Sequence, residues 1–142
     1  MNTKKYLGQV TAFERKIRLL QMEIEKMRML AESISVNIDS ERVQTSGDKD
    51  SMANAVVAIL QKEDALATTI VLYTDSKNII SRQIEGMDNK MYSDVLYGRY
   101  VVGMDFYQIG LVIGKKKRWT FKIYSDALED FEQQYGHLYM DK

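Results

Sequence analysis

The sequence predicts an all-α protein, in which a long antiparallel helical (coiled-coil) hairpin of residues 1–87 precedes a helix-turn-helix module of residues 88–142. Three observations favour this class. Apolar residues recur at heptad spacing along two long segments, the chain of 142 residues contains no proline, and its C-terminal part divides into short amphipathic segments that end at glycines. The length corresponds to about one ordinary domain.

The N-terminal segment carries the first heptad pattern. Spacings of four and three residues alternate along its apolar or small positions, as in the buried seam of a coiled coil. These positions are Tyr6, Val10, Phe13, Ile17, Leu20, Ile24, Met27, Ala31 and Ile34. The pattern predicts a helix from about residue 4 to about residue 36, which Thr3 can cap.

Residues 37–50 interrupt this pattern. The Ser-Gly-Asp-Lys-Asp run within them is typical of a turn, because glycine permits positive φ and the polar side chains bond their own backbone. We predict a packed connector here, with Ile38 and Val43 against the helix ends. Either Asp50 or Ser51 can cap the next helix.

A second heptad pattern predicts another long helix. Its positions are Met52, Val56, Ile59, Glu63, Leu66, Ile70, Tyr73, Lys77, Ile80 and Ile84. Two long helices joined by a connector fold back most simply as an antiparallel hairpin. Glu63 and Lys77 are charged exceptions: either their side chains reach solvent at the edge of the seam, or the charges set register or oligomeric state at a cost in stability.

Both long segments are more apolar than one hairpin seam requires. The additional apolar residues, which lie outside the two heptad patterns, are Leu19, Met22, Met29, Leu60 and Leu72. Exposed apolar surface of this extent usually marks an interface. We therefore expect these five residues to hold a homo-oligomer together, most simply a dimer.

The C-terminal part contains three shorter predicted helices and their stop signals. Gly103 and Gly114 are suited to the residue that follows a helix, and Asp105 is suited to cap one. The tail from Gly136 onward shows no pattern. The order of a helix, a short helix, a turn and a longer helix is that of a helix-turn-helix. The three predicted helices span residues 90–102, 106–113 and 116–134.

Cations concentrate in the turn and at the start of the last predicted helix. The five are Lys115, Lys116, Lys117, Arg118 and Lys122. Cations at a helix N-terminus oppose the macrodipole by roughly 0.3–1 kcal/mol each, so this placement favours a function over a solvated charge run. The same part of a helix-turn-helix faces the major groove of DNA. We expect Arg118 and Lys122 to contact base edges, and the three lysines to contact mainly phosphates.

Two aromatic residues lie within this cluster. The indole of Trp119 is suited to aromatic stacking on a partner, but Trp119 precedes Ile123 by four residues and Ala127 by eight, which favours a core position. Phe121 is harder to bury beside Lys122, and we expect it to contact either a thymine methyl group or a partner protein.

Composition excludes several classes of function. The formal net charge is zero, so an affinity for nucleic acid must come from a local patch. The chain has no cysteine and one histidine, His137, which argues against thiol catalysis, a metal site and a catalytic histidine. No motif for a phosphate or another cofactor is present, and no apolar run could span a bilayer. We therefore expect a non-enzymatic cytoplasmic protein without cofactor or membrane contact.

The chain also resembles the RinA/ArpU-type late transcription regulators of phages and prophages, whose C-terminal half is similar to sigma-factor region 4. In the C-terminal half the resemblance lies in Leu96-x-x-Arg99-Tyr100-x-x-Gly103, Ile109-Gly110-x-x-Ile113-Gly114, Lys117-Arg118-Trp119 and Ala127-Leu128-Glu129. In the N-terminal half it lies in Ala31-Glu32-Ser33-Ile34 and in Val43-Gln44-x-Ser46-Gly47-x-x-Asp50-x-Met52-Ala53-x-Ala55-Val56. Gly110, Lys116 and Thr120 depart from the pattern of the group, which more often has alanine, a capping serine and an aliphatic residue there.

The resemblance implies a regulator that binds double-stranded DNA in the cytoplasm of a bacterial host. The alternative from the residues alone is a helical interaction or scaffold protein. In that alternative the N-terminal hairpin scaffolds oligomers or binds RNA polymerase, and the helix-turn-helix surface contacts a protein instead of DNA.

Overall fold

The protein is all-α. A computed structural model describes the backbone of residues 1–41 and 46–140, and the side chains of residues 1–36 and 50–140. Within these ranges every regular element is helical, which confirms the predicted fold class, and no described helix is both long and apolar enough to cross a membrane. The α-helices in chain order are α1 (Thr3–Leu7), α2 (Gln9–Glu41), α3 (Ser46–Glu85), α4 (Lys90–Leu96), α5 (Phe106–Ile113) and α6 (Lys117–Tyr135).

The two long helices are longer than predicted. Both α2 and α3 extend into residues 37–50, so the prediction of a non-helical connector over this whole range is wrong. Asp50 and Ser51 lie inside α3 and do not cap it. Propagating a formed helix costs little per residue, and no proline is present to stop it, so serine and aspartate are tolerated in its turns. Ile38 and Val43, which the sequence predicts to pack against the helix ends, lie outside the residues whose side chains are described.

The N-terminus begins at a different cap from the predicted one. The Oδ1 atom of Asn2 accepts a hydrogen bond of 2.8 Å from the backbone N–H of Lys5, and Gly8 separates α1 from α2. Thr3 is buried instead, and its hydroxyl forms a hydrogen bond of 2.8 Å with the hydroxyl of Tyr139. Because that hydroxyl points into the protein, it cannot satisfy the first N–H groups of the helix.

One of two compact units consists of Met1–Phe13 with Tyr73–Lys142. In this unit α1, α4 and α5 all pack against α6, and a single apolar core holds the position of α6. Since both ends of the segment 1–87 belong to this unit, the compact units do not coincide with the predicted segments 1–87 and 88–142. The core residues are Leu7, Val10, Ile80, Ile84, Met87, Leu96, Tyr100, Val101, Ala127, Leu128, Phe131 and Tyr139.

The C-terminal tail contributes to this core, although its sequence shows no pattern. Gly136–Leu138 form a single 3₁₀ turn that directs Tyr139 inward. The ring of Tyr139 stacks on that of Tyr6, with 4.2 Å between the ring centroids. Burial raises the pKa of both tyrosine hydroxyls above the ordinary value.

The helix that follows α3 changes its winding before it ends. The predicted helix 90–102 consists of α4 and a π-helical segment, Tyr97–Val102. The backbone N–H groups of Gly103 and Met104 both donate to the carbonyl of Gly98, and Gly103 takes a φ of 88° as predicted for a helix stop. The wider turn lets two consecutive residues, Tyr100 and Val101, both contribute to the core.

The other compact unit, Glu14–Leu72, contains the facing parts of α2 and α3. Arg28 and Glu63 form an ion pair of 2.5 Å, and Glu23 and Lys62 form one of 3.2 Å. Glu63 therefore lies where its carboxylate is partly exposed and bonds the neighbouring helix.

The other charged exception, Lys77, belongs to the first unit. Its ammonium group donates to the hydroxyl of Tyr73 at 3.1 Å and lies over the ring of that tyrosine.

The heptad pattern of α2 describes its inward face correctly, whereas that of α3 is wrong at two positions. All nine positions of the first heptad pattern are buried or half-buried: Tyr6 lies on α1, and the other eight, which we call the inner seam, lie on α2. On α3, Val56 and Ile70 are exposed, and their neighbours Ala55 and Thr69 lie inward instead. A buried hydroxyl needs a partner, and that of Thr69 donates to the carbonyl of Ala65 at 2.8 Å.

Candidate nucleic-acid interface

The candidate interface is built on the sequence α5, turn, α6. α5 begins at the predicted cap: Asp105 and Gln108 bond each other's backbone N–H groups in a capping box. α5 ends at Gly114, where a φ of 70° favours glycine. The N–H groups of Gly114 and Lys115 both donate to the carbonyl of Gly110, and α6 begins at Lys117 after this short turn. The predicted helix 106–113 and its two end signals are confirmed.

The turn is held against the start of α6 by unusually close packing at Gly110. A Cβ atom added to Gly110 would lie 2.7 Å from the carbonyl oxygen of Lys115 and 3.1 Å from the Oγ1 atom of Thr120. Thr120 is fully buried, and its hydroxyl donates to the carbonyl of Lys116 at 3.0 Å. The glycine and the threonine, both departures from the pattern of the resembling group, therefore form one tightly packed contact.

The five predicted cations surround this contact on its solvent side. All five are exposed, and within the described part of the chain none of them forms an ion pair. No acidic residue lies in the first turn of α6. The positive charge is therefore not neutralised by neighbouring side chains, and it adds to the positive end of the helix macrodipole. The five are Lys115, Lys116, Lys117, Arg118 and Lys122.

The N-terminus of α6 also lacks the cap that other helices of the protein have. Asn2, Asn89 and Asp105 each cap a helix with a side-chain oxygen. Lys116 occupies the corresponding position of α6 with extended backbone angles, and its side chain makes no capping hydrogen bond. The first N–H groups of α6 have no intrahelical partners, so an anion could accept hydrogen bonds from them.

Phe121 lies partly in a stack of aromatic rings. Its ring centroid is 4.3 Å from that of Phe106, and the ammonium group of Lys117 lies 5.8 Å from its centroid. The guanidinium of Arg99 covers the other ring, 4.6 Å from the centroid of Phe106. Phe121 keeps 41% of its surface exposed, so it both anchors α6 on α5 and holds Lys117 at the surface.

Behind this stack, a pair of tyrosine hydroxyls fixes the middle of α6. The hydroxyls of Tyr100 and Tyr124 lie 2.5 Å apart, and the ring of Tyr124 contacts the edge of Phe106. Burial raises the pKa of Tyr100 far above its ordinary value, and the hydrogen bond to Tyr124 raises it further. Tyr100 therefore keeps its proton at pH values at which a free tyrosine ionises.

The core position predicted for Trp119 is wrong. Trp119 is 57% exposed, and its ring lies in an open concavity that it forms with Arg118 and Lys122. The inward positions of α6 begin at Thr120 and continue at Ala127, so the residue before Thr120 faces solvent. A large aromatic ring among exposed cations is a typical surface for stacking or for contact with a base.

The predicted oligomer residues lie elsewhere, in Glu14–Leu72. Leu19, Met22 and Met29 on α2 are 66%, 68% and 63% exposed. Leu60 and Leu72 on α3 are 54% and 48% exposed. The apolar surface on which the dimer prediction rests is therefore open to solvent in the single chain.

No group of three or more metal-binding side chains comes together in the part of the chain that the structure describes. The chain matches no known protein family, and no curated protein or solved structure is similar to it.

Proposed function

We propose that the protein is a transcription regulator of the phage type that binds duplex DNA through the N-terminal part of α6. The observation that carries this proposal is the cluster of five exposed cations, which form no ion pair with the described side chains, at a helix N-terminus that has no side-chain cap. In a helix-turn-helix this end of the second helix enters the major groove, and the order α5, turn, α6 is compatible with that arrangement. The resemblance to late transcription regulators supports the same reading.

The physical reason to expect DNA is the combination of charge and geometry. A neutral chain has no global field to attract a polyanion, so binding requires a local patch of this kind. Lys115, Lys116 and Lys117 lie in and next to the turn, where phosphates are within reach of both the ammonium groups and the free N–H groups of α6. Arg118 and Lys122 lie one turn apart on the helix, as side chains that read base edges do.

Trp119 extends this assignment. Its exposed ring between Arg118 and Lys122 would meet the base edges or the sugar at the same level of the groove. A contact with a thymine methyl group is the apolar interaction that such a ring makes in the major groove. The proposal therefore gives Trp119 the role that the sequence alone suggested for Phe121.

The same proposal places the protein in the cytoplasm of a bacterial host as a homo-oligomer, most simply a dimer. A dimer of DNA-binding modules reads two half-sites, and twofold symmetry favours a palindromic site. Self-association is assigned to the N-terminal helical hairpin, whose exposed residues Leu19, Met22, Met29, Leu60 and Leu72 offer the apolar surface.

Selection of bound sequences from random duplex DNA tests the proposal. We expect the full chain to enrich a short motif, and the triple substitution K116A/K117A/R118A to enrich none. The substitution K4A/K5A/K90A is a matched control, since it removes three exposed cations outside the cluster. Enrichment of the same motif by both variants would contradict the proposed interface.

A second candidate function is supported by the outer face of α5. Tyr107, Leu111 and Val112 are each about two-thirds exposed, which is unusual for the most apolar helix of the chain. In this alternative the C-terminal module contacts another protein, such as RNA polymerase, through that face. A chain that binds no duplex DNA at low salt, but whose binding to purified polymerase is lost in the variant L111E, would favour it.

A further inference from the structure

α2 carries a second heptad seam that no described helix covers. Its residues, which we call the outer seam, are spaced alternately by three and four positions. They are Leu19, Met22, Lys26, Met29, Ser33 and Val36. The four apolar members are 63–68% exposed. A surface helix of a globular protein needs one apolar stripe, so a second stripe at the same period indicates a second helical neighbour.

The outer seam lies on the opposite side of α2 from the inner seam. At about 100° per residue the two seams are roughly 160° apart around the helix axis. The ion pairs of Glu23 and Arg28 with α3 flank the inner seam on its two sides. In Glu14–Leu72, α3 therefore covers the inner seam and cannot reach the outer one.

The surface of the outer seam also has the ridge and grooves through which helices pack. Met22 and Lys26 form a ridge, and an open groove runs along each side of it. Leu19 and Leu30 line one groove, and Met29 lines the other. Helices associate by placing such ridges in the grooves of the neighbour.

We propose that the occupant is α2 of a second copy of this chain, packed antiparallel on the outer seam. The proposal rests on the part of the proposed function that assigns self-association to the N-terminal helices, and it does not depend on DNA binding. Charge distribution along α2 supports it. The beginning of the exposed surface is basic at Arg15, Lys16 and Arg18, whereas its end is acidic at Glu32.

An antiparallel arrangement brings these ends together in both halves of a symmetric interface. In the register that places Leu19 opposite Met29 of the second copy, Lys16 lies opposite Glu32 of the second copy. Met22 then faces Lys26, whose ammonium group is within reach of Glu25 on the other helix. A parallel arrangement would instead place each charged residue beside the identical residue of the second copy. Within the described part of the chain, none of Lys16, Arg18, Glu25, Lys26 and Glu32 forms an ion pair.

The outer seam offers enough apolar area for a biological interface. The four apolar residues of the outer seam and Leu30 each offer on the order of 100 Å² of apolar surface, so the two copies together bury about 1,000 Å². This reaches the lower limit for specific interfaces, and the aliphatic stems of Lys16 and Lys26 add to it. The near balance of acidic and basic residues in the chain leaves little net repulsion between copies.

Light scattering on the full chain at tens of micromolar tests the interface. We expect a dimer for the wild type and a monomer for Met22→Glu. Val71→Glu is the matched control, because it adds the same charge at an exposed apolar residue of α3 and should remain dimeric. Circular dichroism checks that both variants keep their helix content. A monomeric wild type, or a dimer that only V71E disrupts, would overturn the proposal.

Charge reversal and cross-linking test the orientation. K16E and E32K should each weaken the dimer about tenfold, and the double variant K16E/E32K should recover wild-type affinity. The chain lacks cysteine, so single cysteines give unambiguous disulfides. Mixed M22C and K26C chains should form the mixed 22–26 disulfide on mild oxidation.

Disulfides only between identical positions would indicate a parallel dimer and refute the proposed orientation. Duplex binding of the wild type tests the DNA-binding proposal separately. A dimeric wild type that binds no duplex DNA contradicts only the α6 interface, and a monomeric wild type that binds duplex DNA contradicts only the outer-seam dimer.

Discussion

We expect the replacement Lys116→Ser to stabilise the protein and at the same time to weaken its binding to DNA. Lys116 already has the extended backbone angles of a helix cap, with φ −71° and ψ 159°, but its side chain makes no capping hydrogen bond. A serine hydroxyl there could accept from the N–H of Arg118 or Trp119. The bond that Thr120 makes to the carbonyl of residue 116 would remain, because it uses backbone oxygen.

The expected gain follows from two contributions. A serine cap stabilises a helix by about 1 kcal/mol relative to a residue that cannot cap, and removing a cation from the N-terminus relieves roughly 0.3–1 kcal/mol of dipole conflict. The sum is about 1–2 kcal/mol in the free energy of unfolding. For a protein of this size we expect the melting temperature to rise by several degrees.

Thermal and urea denaturation followed by circular dichroism measure this gain, and duplex binding is measured on the same samples. Lys115→Ser is the matched control: it removes the same charge one residue earlier, outside the helix, where serine gains no cap. We expect both variants to lose one phosphate contact, and K116S to gain about 1 kcal/mol more stability than K115S because only the serine at 116 caps the helix. Equal stability of the two variants, or unchanged DNA binding in both, would refute the reasoning.

Three further predictions concern the packing behind the interface, its aromatic residue and the buried tyrosines. Gly110→Ala should destabilise the protein by about 1–2 kcal/mol in urea denaturation, because overpacking against the Lys115 carbonyl exceeds the gain in helix propensity. Gly136→Ala, whose Cβ would meet only the Cγ atoms of Glu132 and Met140 and no backbone atom, should change little; equal effects would contradict the close contact. Trp119→Ala should leave the melting temperature nearly unchanged but reduce binding to a selected DNA sequence, and undiminished binding would exclude a base contact. The free energy of unfolding should fall as the pH rises above about 10, because burial raises the folded-state pKa of three tyrosines and the unfolded chain ionises first. Those tyrosines are Tyr6, Tyr100 and Tyr139, and urea titrations at about pH 8 and about pH 11 that gave equal stabilities would contradict their burial.

The elements with strong local signals could be predicted from the sequence. Asp105 and Gly114 determine the two ends of α5 through a capping box and a positive φ, both of which depend on residues within one turn. The inner seam of α2 was predictable for the same reason, since apolar residues at heptad spacing over several turns mark a face of the helix that packs. The cation cluster at the start of α6 was likewise visible as a run in the sequence.

Features that depend on distant contacts could not be predicted. The inward face of α6 begins at Thr120 because the missing side chain of Gly110 lets the two helices approach closely, and this moves Trp119 to the surface. A fully buried threonine beside an exposed tryptophan reverses the order that hydrophobicity suggests. Tyr139 is buried by Tyr6, from the opposite end of the chain, so no local pattern marks it.

The most direct test of the central proposal is the salt dependence of binding to a duplex DNA. Each phosphate neutralised contributes about −0.9 to the slope of log affinity against log salt concentration. Two to four contacts per subunit predict a slope of roughly −4 to −7 for a dimer of the wild type. The triple variant K116A/K117A/R118A should lose most of this slope, whereas the control K4A/K5A/K90A should keep it. An unchanged slope in the triple variant, or no binding by the wild type at low salt, would contradict the assignment of DNA binding to α6.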